Sequence, residues 1–210
     1  MVVSILISCA LSYLMGSLPF GVWAAKLLKG IDIQRIGSGN IGATNVTRVL
    51  GPGPGLAIFF LDAAKGAIGI MLARGFQPDL AMPVLILIGI CAIMGHTFSI
   101  FLRFTGGKAV STTVGVLFAL HPLVAGIAVL LMIPIIAIWR YVSLAAIIAA
   151  ISLPFIAFFA AYPHAGDRQW MMGLCIVVAI VIPVRHRENI QRLRTGTESR
   201  VGQPIDATKE

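Results

Sequence analysis

The stretch from Ala109 to Trp139 runs for 31 residues without a charge. A membrane-spanning helix needs roughly 20 apolar residues, with about 25 as the ordinary upper end, so this run is too long for a single span. The His121-Pro122 pair near its middle predicts a break, because proline disfavours helical geometry in the residue before it. Two short helices are expected here. Further apolar runs are Val2 to Ala25, Pro54 to Ala73 (interrupted by Asp62 and Lys65), Leu80 to Leu102 (interrupted by His96), Tyr141 to Pro163 and Gln169 to Val184.

Composition agrees with lipid as the solvent. Only 11% of residues are charged and 58% are hydrophobic, whereas a soluble domain carries roughly 25% charged residues. Reading the long run as two helices gives seven spans; reading it as one gives six. Basic residues collect on cytoplasmic loops, and this rule arbitrates. With seven spans, one side gathers Lys26, Lys29, Arg35, Arg48, Arg103, Lys108, Arg140, Arg185, Arg187, Arg192, Arg194, Arg200 and Lys209, and the other keeps Arg74 and Arg168. With six, the Arg-rich C-terminus falls outside. The expectation is an all-α integral membrane protein of seven transmembrane helices, N-terminus outside and C-terminus cytoplasmic. It forms a single domain over residues 1–210, with a basic cytoplasmic tail over 185–210. The formal charge of +8 is topology signal, and nucleic acid is not an expected partner. No cleavage site follows the first run, so a removed signal peptide is not expected. Cys9, Cys91 and Cys175 lie in apolar runs without metal-ligand spacing; no metal and no cofactor are expected.

In this topology the unusual residues share the cytoplasmic face. "IGSGNIGATNVTR", Ile36 to Arg48, carries Gly37, Gly39 and Gly42 in the spacing of a dinucleotide fingerprint. That fingerprint requires a preceding strand; here an apolar helix precedes, so the Rossmann reading fails. Two readings stand on these residues alone. One is a Gly/Asn/Ser turn with Arg48 as a topology anchor. The other is a phosphate cradle of backbone N–H groups at a helix start, assisted by Ser38, Asn40, Thr44, Asn45 and Arg48. "RFTGGKAVSTT", Arg103 to Thr113, again joins flexible backbone (Gly106, Gly107) to a cation (Lys108) and hydroxyls, without the full P-loop spacing.

"RHRENIQRLR", Arg185 to Arg194, reads as an amphipathic basic segment on anionic membrane lipid. His186, Arg187, Glu188 and Asn189 lie where the last span leaves the membrane and so can face a site. Polar groups inside spans are costly. Asp62 and Lys65, three residues apart, share a helix face and are expected to form a buried ion pair. His96, about two turns before the Gly-Gly-Lys loop, has either a helix-packing or a site role. His121 and His164 near the outer turns are expected to be structural.

Together "GSGNIGATN" with Arg48, "FTGGKAVST" and "RHRENI" resemble the bacterial membrane-bound glycerol-3-phosphate acyltransferases that use acyl phosphate as donor. The likeness covers nearly the whole chain, including "LDAAKG", Gly95-His96 and "RYVSL" at Arg140. It implies seven membrane helices with the N-terminus out and three cytoplasmic motifs. Ser38, Asn40, Thr44, Asn45 and Arg48 match the first motif, Gly106, Gly107 and Lys108 the second, His186 and Asn189 the third, and Ser143 also matches. Departures cluster at the second motif: Ser99 where proline is usual, Arg103 for glycine, Thr105 for lysine and Ser111 for alanine.

The resemblance implies acyl transfer to the 1-hydroxyl of glycerol 3-phosphate at the bacterial inner membrane, giving lysophosphatidic acid and phosphate. A soluble phosphate acyltransferase would supply the donor. Ser38, Arg48, Lys108, His186 and Asn189 are expected in catalysis. Gly37, Gly39, Asn40, Thr44, Asn45, His96, Gly106, Gly107, Ser143 and Arg187 are expected in substrate binding. The proton of the attacking hydroxyl goes to His186, to His96 or to a donor phosphate oxygen; the substrate-assisted route is preferred. The alternative is a membrane transporter of a phosphorylated solute, which would favour inverted repeats and broken helices at mid-membrane.

Overall fold

The computed structural model describes residues 2–164 and 166–203. The end of the basic tail, residues 204–210 with Lys209, lies outside the described residues. The helices are α1 (Val2–Ser17), α2 (Phe20–Lys29), α3 (Ala43–Leu50), α4 (Pro52–Phe76), α5 (Met82–Thr97), α6 (Val110–Leu120), α7 (Pro122–Trp139), α8 (Val142–Phe159), α9 (Asp167–Arg185) and α10 (Arg187–Arg194).

α6 ends at Leu120 and α7 begins at Pro122, so the long apolar run breaks at His121. The break is capped locally: His121 Nδ1 accepts from the Val124 N–H at 3.4 Å. Every apolar run forms helix, but the lengths differ from the expectation. Val2–Lys29 (α1 with α2), α4, α7, α8 and α9 are long and apolar enough to cross a membrane, while α5 and α6 are shorter apolar helices. Length and composition therefore support five spans directly. The first run also bends where Leu18-Pro19 separates α1 from α2. Proline offers no N–H to continue the α1 ladder, and at the interruption Lys65 Nζ donates to the Leu18 carbonyl at 2.8 Å.

α1 packs on α5, α4 on α6, and α8 on both α7 and α9. With lipid on the outside, the hydrophobic effect cannot drive helix association, and small residues that allow close approach replace it. At the α4–α6 contact, a Cβ on Gly115 would fall 1.8 Å from the Ala63 carbonyl oxygen, and one on Gly66 would fall 2.2 Å from that of Thr112. Ser12 adds an interhelical hydrogen bond from α1 to the Ile88 carbonyl of α5 at 2.8 Å. Ile70, Ile88, Val116, Val124, Ala157, Met171 and Cys175 fill the centre. Phe76, Phe159 and Leu27 project outward, as side chains facing hydrocarbon do.

The first glycine motif runs into the eight-residue helix α3. Val46 and Asn45 face inward, and Val46 joins Ala25, Ile33, Ile41 and Ile58 in a second small core. That core ties α2, α3 and α4 into a shoulder at one end of the bundle.

Candidate active site

The first glycine motif folds back on itself. Gly37 and Gly39 sit at φ 65° and 66°, in the left-handed region where a side chain is disfavoured. Asn45, buried on α3, closes the loop. Its Oδ1 accepts from the Ser38 N–H at 3.0 Å, and its Nδ2 donates to the Ile36 and Ile33 carbonyls at 3.0 and 3.3 Å. Asn40 Oδ1 accepts from the Gly42 N–H at 2.9 Å. Asn45 thus shapes the loop, while Ser38, Asn40, Gly42, Ala43, Thr44 and Arg48 line a cavity beside it.

The second motif is braced from three sides. The Gly107 N–H donates to the His96 carbonyl at 3.1 Å, and the Gly107 carbonyl accepts from Arg185 at 3.1 Å. A Cβ on Gly107 would meet His96 Nε2 at 2.2 Å, so only glycine fits against the ring. Arg103, Phe104 and Ala109 adopt φ of 54°, 60° and 56°. Left-handed backbone in non-glycine residues costs about 1–3 kcal/mol each and persists where surroundings over-determine it. Ser99, the departure from proline, supplies part of that restraint. Its N–H donates to the Thr105 carbonyl at 3.1 Å, a bond proline cannot make, and its hydroxyl donates to Ser17 at 2.6 Å.

The third motif closes the cavity. His186 ends α9 and starts α10; its Nδ1 lies 2.8 Å from the Ile182 carbonyl. A carbonyl can only accept, so Nδ1 carries the hydrogen and Nε2 keeps its lone pair. Burial pushes the ring down to about 4, with Lys108 adding to the effect, so His186 is neutral near pH 7. Lys108 Nζ donates to Asn189 Oδ1. Burial also lowers the Lys108 ammonium to about 8, with Arg192 and Arg48 nearby.

Glu198, a tail residue for which the sequence reading has no role, is the hub of this corner. Its Oε1 accepts from Ser143 at 2.8 Å and from Asn189 Nδ2 at 2.7 Å, and its Oε2 accepts from Arg192 at 2.7 Å. Burial raises its pKa, but these three donors outweigh it and hold the carboxylate below its ordinary range. The tail is pinned alongside: the Val201 N–H donates to the Arg140 carbonyl at 2.7 Å, and Arg48 donates to the Ser199 carbonyl at 3.2 Å. Nothing local in the tail sequence sets Glu198 apart from the nearby Glu188.

These pieces enclose a cavity of about 120 Å³, lined also by Phe59, Asp62, His96, Ser111, Met132 and Ser143. The first residues of α3, α6 and α8 line it, and so do His186 and Asn189 at the start of α10. None of these four helices has a side-chain hydrogen bond capping its start. A helix start carries the positive end of the helix dipole and leaves its first N–H groups without intrahelical acceptors. With Lys108 and Arg48, they form a receptor for anionic oxygens. Below lies an apolar groove of about 30 Å³ between α6, α7, α8 and α9, sharing Val110, Met132 and Ala146 with the cavity.

Of the expected site residues, Ser38, Asn40, Thr44, Asn45, Arg48, His96, Lys108, Ser143, His186 and Asn189 line the cavity. Gly37, Gly39, Gly106 and Gly107 do not; they set the backbone behind it. Arg187 is exposed and lies outside the lining. The Asp62–Lys65 pair forms as expected, at 2.8 Å and buried.

A family model described as glycerol-3-phosphate acyltransferase matches residues 6–196. The glycerol-3-phosphate acyltransferase of Desulforudis audaxviator is 47% identical over 198 residues, covering 94% of this chain and 96% of the relative. That of Geobacter sulfurreducens is 44% identical, covering 93% and 96%. Among solved structures, the fold resembles PlsY (YgiH), an integral membrane glycerol 3-phosphate acyltransferase. Its glycerol 3-phosphate form gives a TM-score of 0.84 at 44% identity, covering 95% of this chain and 96% of that one. The lysophosphatidic acid form gives 0.82. On sequence and fold together, this chain belongs to the glycerol-3-phosphate acyltransferase family of integral membrane enzymes.

Proposed function

We propose that the chain transfers a fatty acyl group from acyl phosphate to the 1-hydroxyl of glycerol 3-phosphate, at the cytoplasmic surface of the bacterial inner membrane. In this reading it is a single domain with seven spans, N-terminus out and C-terminus in, α5 and α6 included as short spans. A soluble phosphate acyltransferase delivers the donor. The observation that carries the reading is the convergence of four uncapped helix starts with Lys108 and Arg48 on one cavity. Two phosphate groups must sit side by side for this reaction, and that much positive potential suits two anions.

The acyl chain lies in the apolar groove, with its carbonyl at the boundary near Val110, Met132 and Ala146. The glycerol 3-phosphate hydroxyl attacks that carbonyl carbon and forms the ester C–O bond. The C–O bond to the donor phosphate breaks, and inorganic phosphate leaves with the electron pair. Fixing both anions supplies orientation, which can replace about 7–11 kcal/mol of a bimolecular barrier. Lys108 and Arg48 hold the phosphates. Ser38, Asn40, Thr44 and the first N–H groups of α3 and α6 hydrogen-bond them, and Asn189 and Ser143, both anchored on Glu198, fix the reacting ends.

The hydroxyl proton passes to a donor phosphate oxygen. A general base works best with a pKa near the operating pH. His186, held at about 4, is a weak base there, whereas the donor phosphate gains basicity as the C–O bond breaks and its oxygens take up the electron pair. His186 serves as a hydrogen-bond acceptor through Nε2.

Purified protein given palmitoyl phosphate and glycerol 3-phosphate is expected to release phosphate and form lysophosphatidic acid in detergent, where transport cannot be measured. No release in any lipid or detergent would overturn the assignment. Turnover of His186→Ala within several-fold of the parent supports the substrate-assisted route; a loss on the order of 10²–10⁴-fold would identify a side-chain base.

A further inference from the structure

Three buried polar side chains have no part in the chemistry above: Asp62 and His96, which line the cavity, and Lys65, which pairs with Asp62. If Asp62 only neutralised Lys65, any neighbour would serve it. Yet the Oδ1 that pairs with Lys65 at 2.8 Å also lies 3.7 Å from His96 Nδ1, with all three side chains at most 4% exposed. His96 Nδ1 has no hydrogen-bond partner. A buried N–H without a partner is costly, and a shift of about half an ångström would bring Asp62 into hydrogen-bond range.

The other side of His96 meets the second motif. Its carbonyl accepts from the Gly107 N–H at 3.1 Å, and its Nε2 abuts Gly107 so closely that a Cβ there would lie 2.2 Å away. Lys108 follows at once. His96 therefore stands between a carboxylate anchored in α4 and the peptide that carries the phosphate-binding cation.

We infer that Asp62 and His96 are a positioning pair for Lys108. Asp62 accepts the Nδ1 hydrogen and fixes the ring plane; the ring and the His96 carbonyl fix the Gly107 peptide; and this peptide aims Lys108 at Asn189 and the bound phosphates. Lys65 pairs with Asp62 at 2.8 Å and ties it to the Leu18 carbonyl between α1 and α2. The inference rests on the role given to Lys108 above. A supporting shell of this kind decides whether a site is held tightly enough to act.

The test is a set of variants assayed for phosphate release, with melting in detergent followed in parallel. His96→Leu is expected to lower kcat by about 30- to 100-fold with KM for glycerol 3-phosphate within threefold, the scale on which a misplaced group costs rate. His96→Asn, whose amide stands where Nδ1 stood, should recover most of that rate; His96→Gln, which imitates Nε2, should not. In a Lys108→Ala background, His96→Leu should cost less than about threefold, because the effect runs through Lys108. Asp62→Asn with Lys65→Met, removing the carboxylate and its counter-charge together, should reproduce the His96→Leu loss. Should His96→Leu fail to fold, the Asn and Gln variants carry the comparison. The inference is overturned if His96→Leu keeps kcat within threefold, if its loss multiplies fully with that of Lys108→Ala, or if Asn and Gln behave alike. A parent protein without turnover overturns the function itself, and this pairing with it.

Discussion

The two ends of the helix bundle both carry cavities, and the larger one is not at the glycine-rich loops. Between the α4–α5, α6–α7 and α8–α9 connections lies a cavity of about 860 Å³ lined by Arg74, Asp79, His121, Tyr162, His164, Asp167 and Trp170. The cavity at the other end measures about 120 Å³. What separates them is how their polar groups are spent. At the large cavity, Arg74 donates to the Ala119 carbonyl in the last turn of α6 at 2.6 Å. His121 meets the Ala161 carbonyl at 2.9 Å, and Arg168 lies over the Tyr162 ring. These groups serve helix ends. At the small cavity, four helix starts lack a side-chain cap, and Lys108, Arg48 and Arg192 gather around the carboxylate of Glu198. Unspent positive potential marks the site; volume does not.

The sharpest way to break this contrast is to remove the cation at each end. Lys108→Ala is expected to reduce kcat/KM by about 10³-fold, equivalent to roughly 4 kcal/mol of transition-state stabilisation, while its melting temperature stays near the parent's. A loss under tenfold would mean the helix starts suffice without it. Glu198→Ala comes next. It should reduce kcat/KM by about 30-fold and lower the melting temperature, since Ser143, Asn189 and Arg192 each lose a charge-assisted partner, worth about 1.5–3 kcal/mol apiece. Unchanged melting would show that the tail is not clamped through this carboxylate.

The pH profile sharpens the comparison further. Lys108 acts protonated, and its pKa is about 8. Activity that needs the ammonium is therefore complete below that value and lost above it. kcat/KM for glycerol 3-phosphate should hold level near pH 7 and fall about tenfold per unit above pH 8. Lys108→Arg should remove that fall even if it lowers the plateau. The smallest effect belongs to the far end: Arg74→Ala should keep turnover within about twofold while lowering the melting temperature by a few degrees. A large loss of activity there would erase the distinction between the ends.

Much of this was readable from local pattern. The break at His121 follows from the residue's position before proline, and the Asp62–Lys65 pair follows from spacing on one helix face. The loops at Gly37 and Gly106 announce left-handed or crowded backbone by composition. Other features depend on contacts distant in sequence. α3 is short and polar on one side, and it is held by Val46 packing against residues of α2 and α4, which its own eight residues do not reveal. Asn45 looks like a ligand in its motif, yet its amide is consumed by loop carbonyls. Glu198 reaches Ser143 across 55 positions, and no periodicity in a basic tail forecasts that return. Ser143 itself stood out only through the likeness to known acyltransferases.

The groove beneath the cavity bears on how the reaction divides its materials between phases. Because Val110, Met132 and Ala146 belong to both spaces, an acyl chain seated there is already surrounded by hydrocarbon when its ester forms. Extracting such a chain into water would cost about 0.8 kcal/mol per CH₂, so a long-chain product has one downhill exit, sideways into the leaflet. The small hydrophilic product has the opposite one. In the proposed reaction each turnover would sort its own products by solubility, and the next donor would enter along the path the last lipid left.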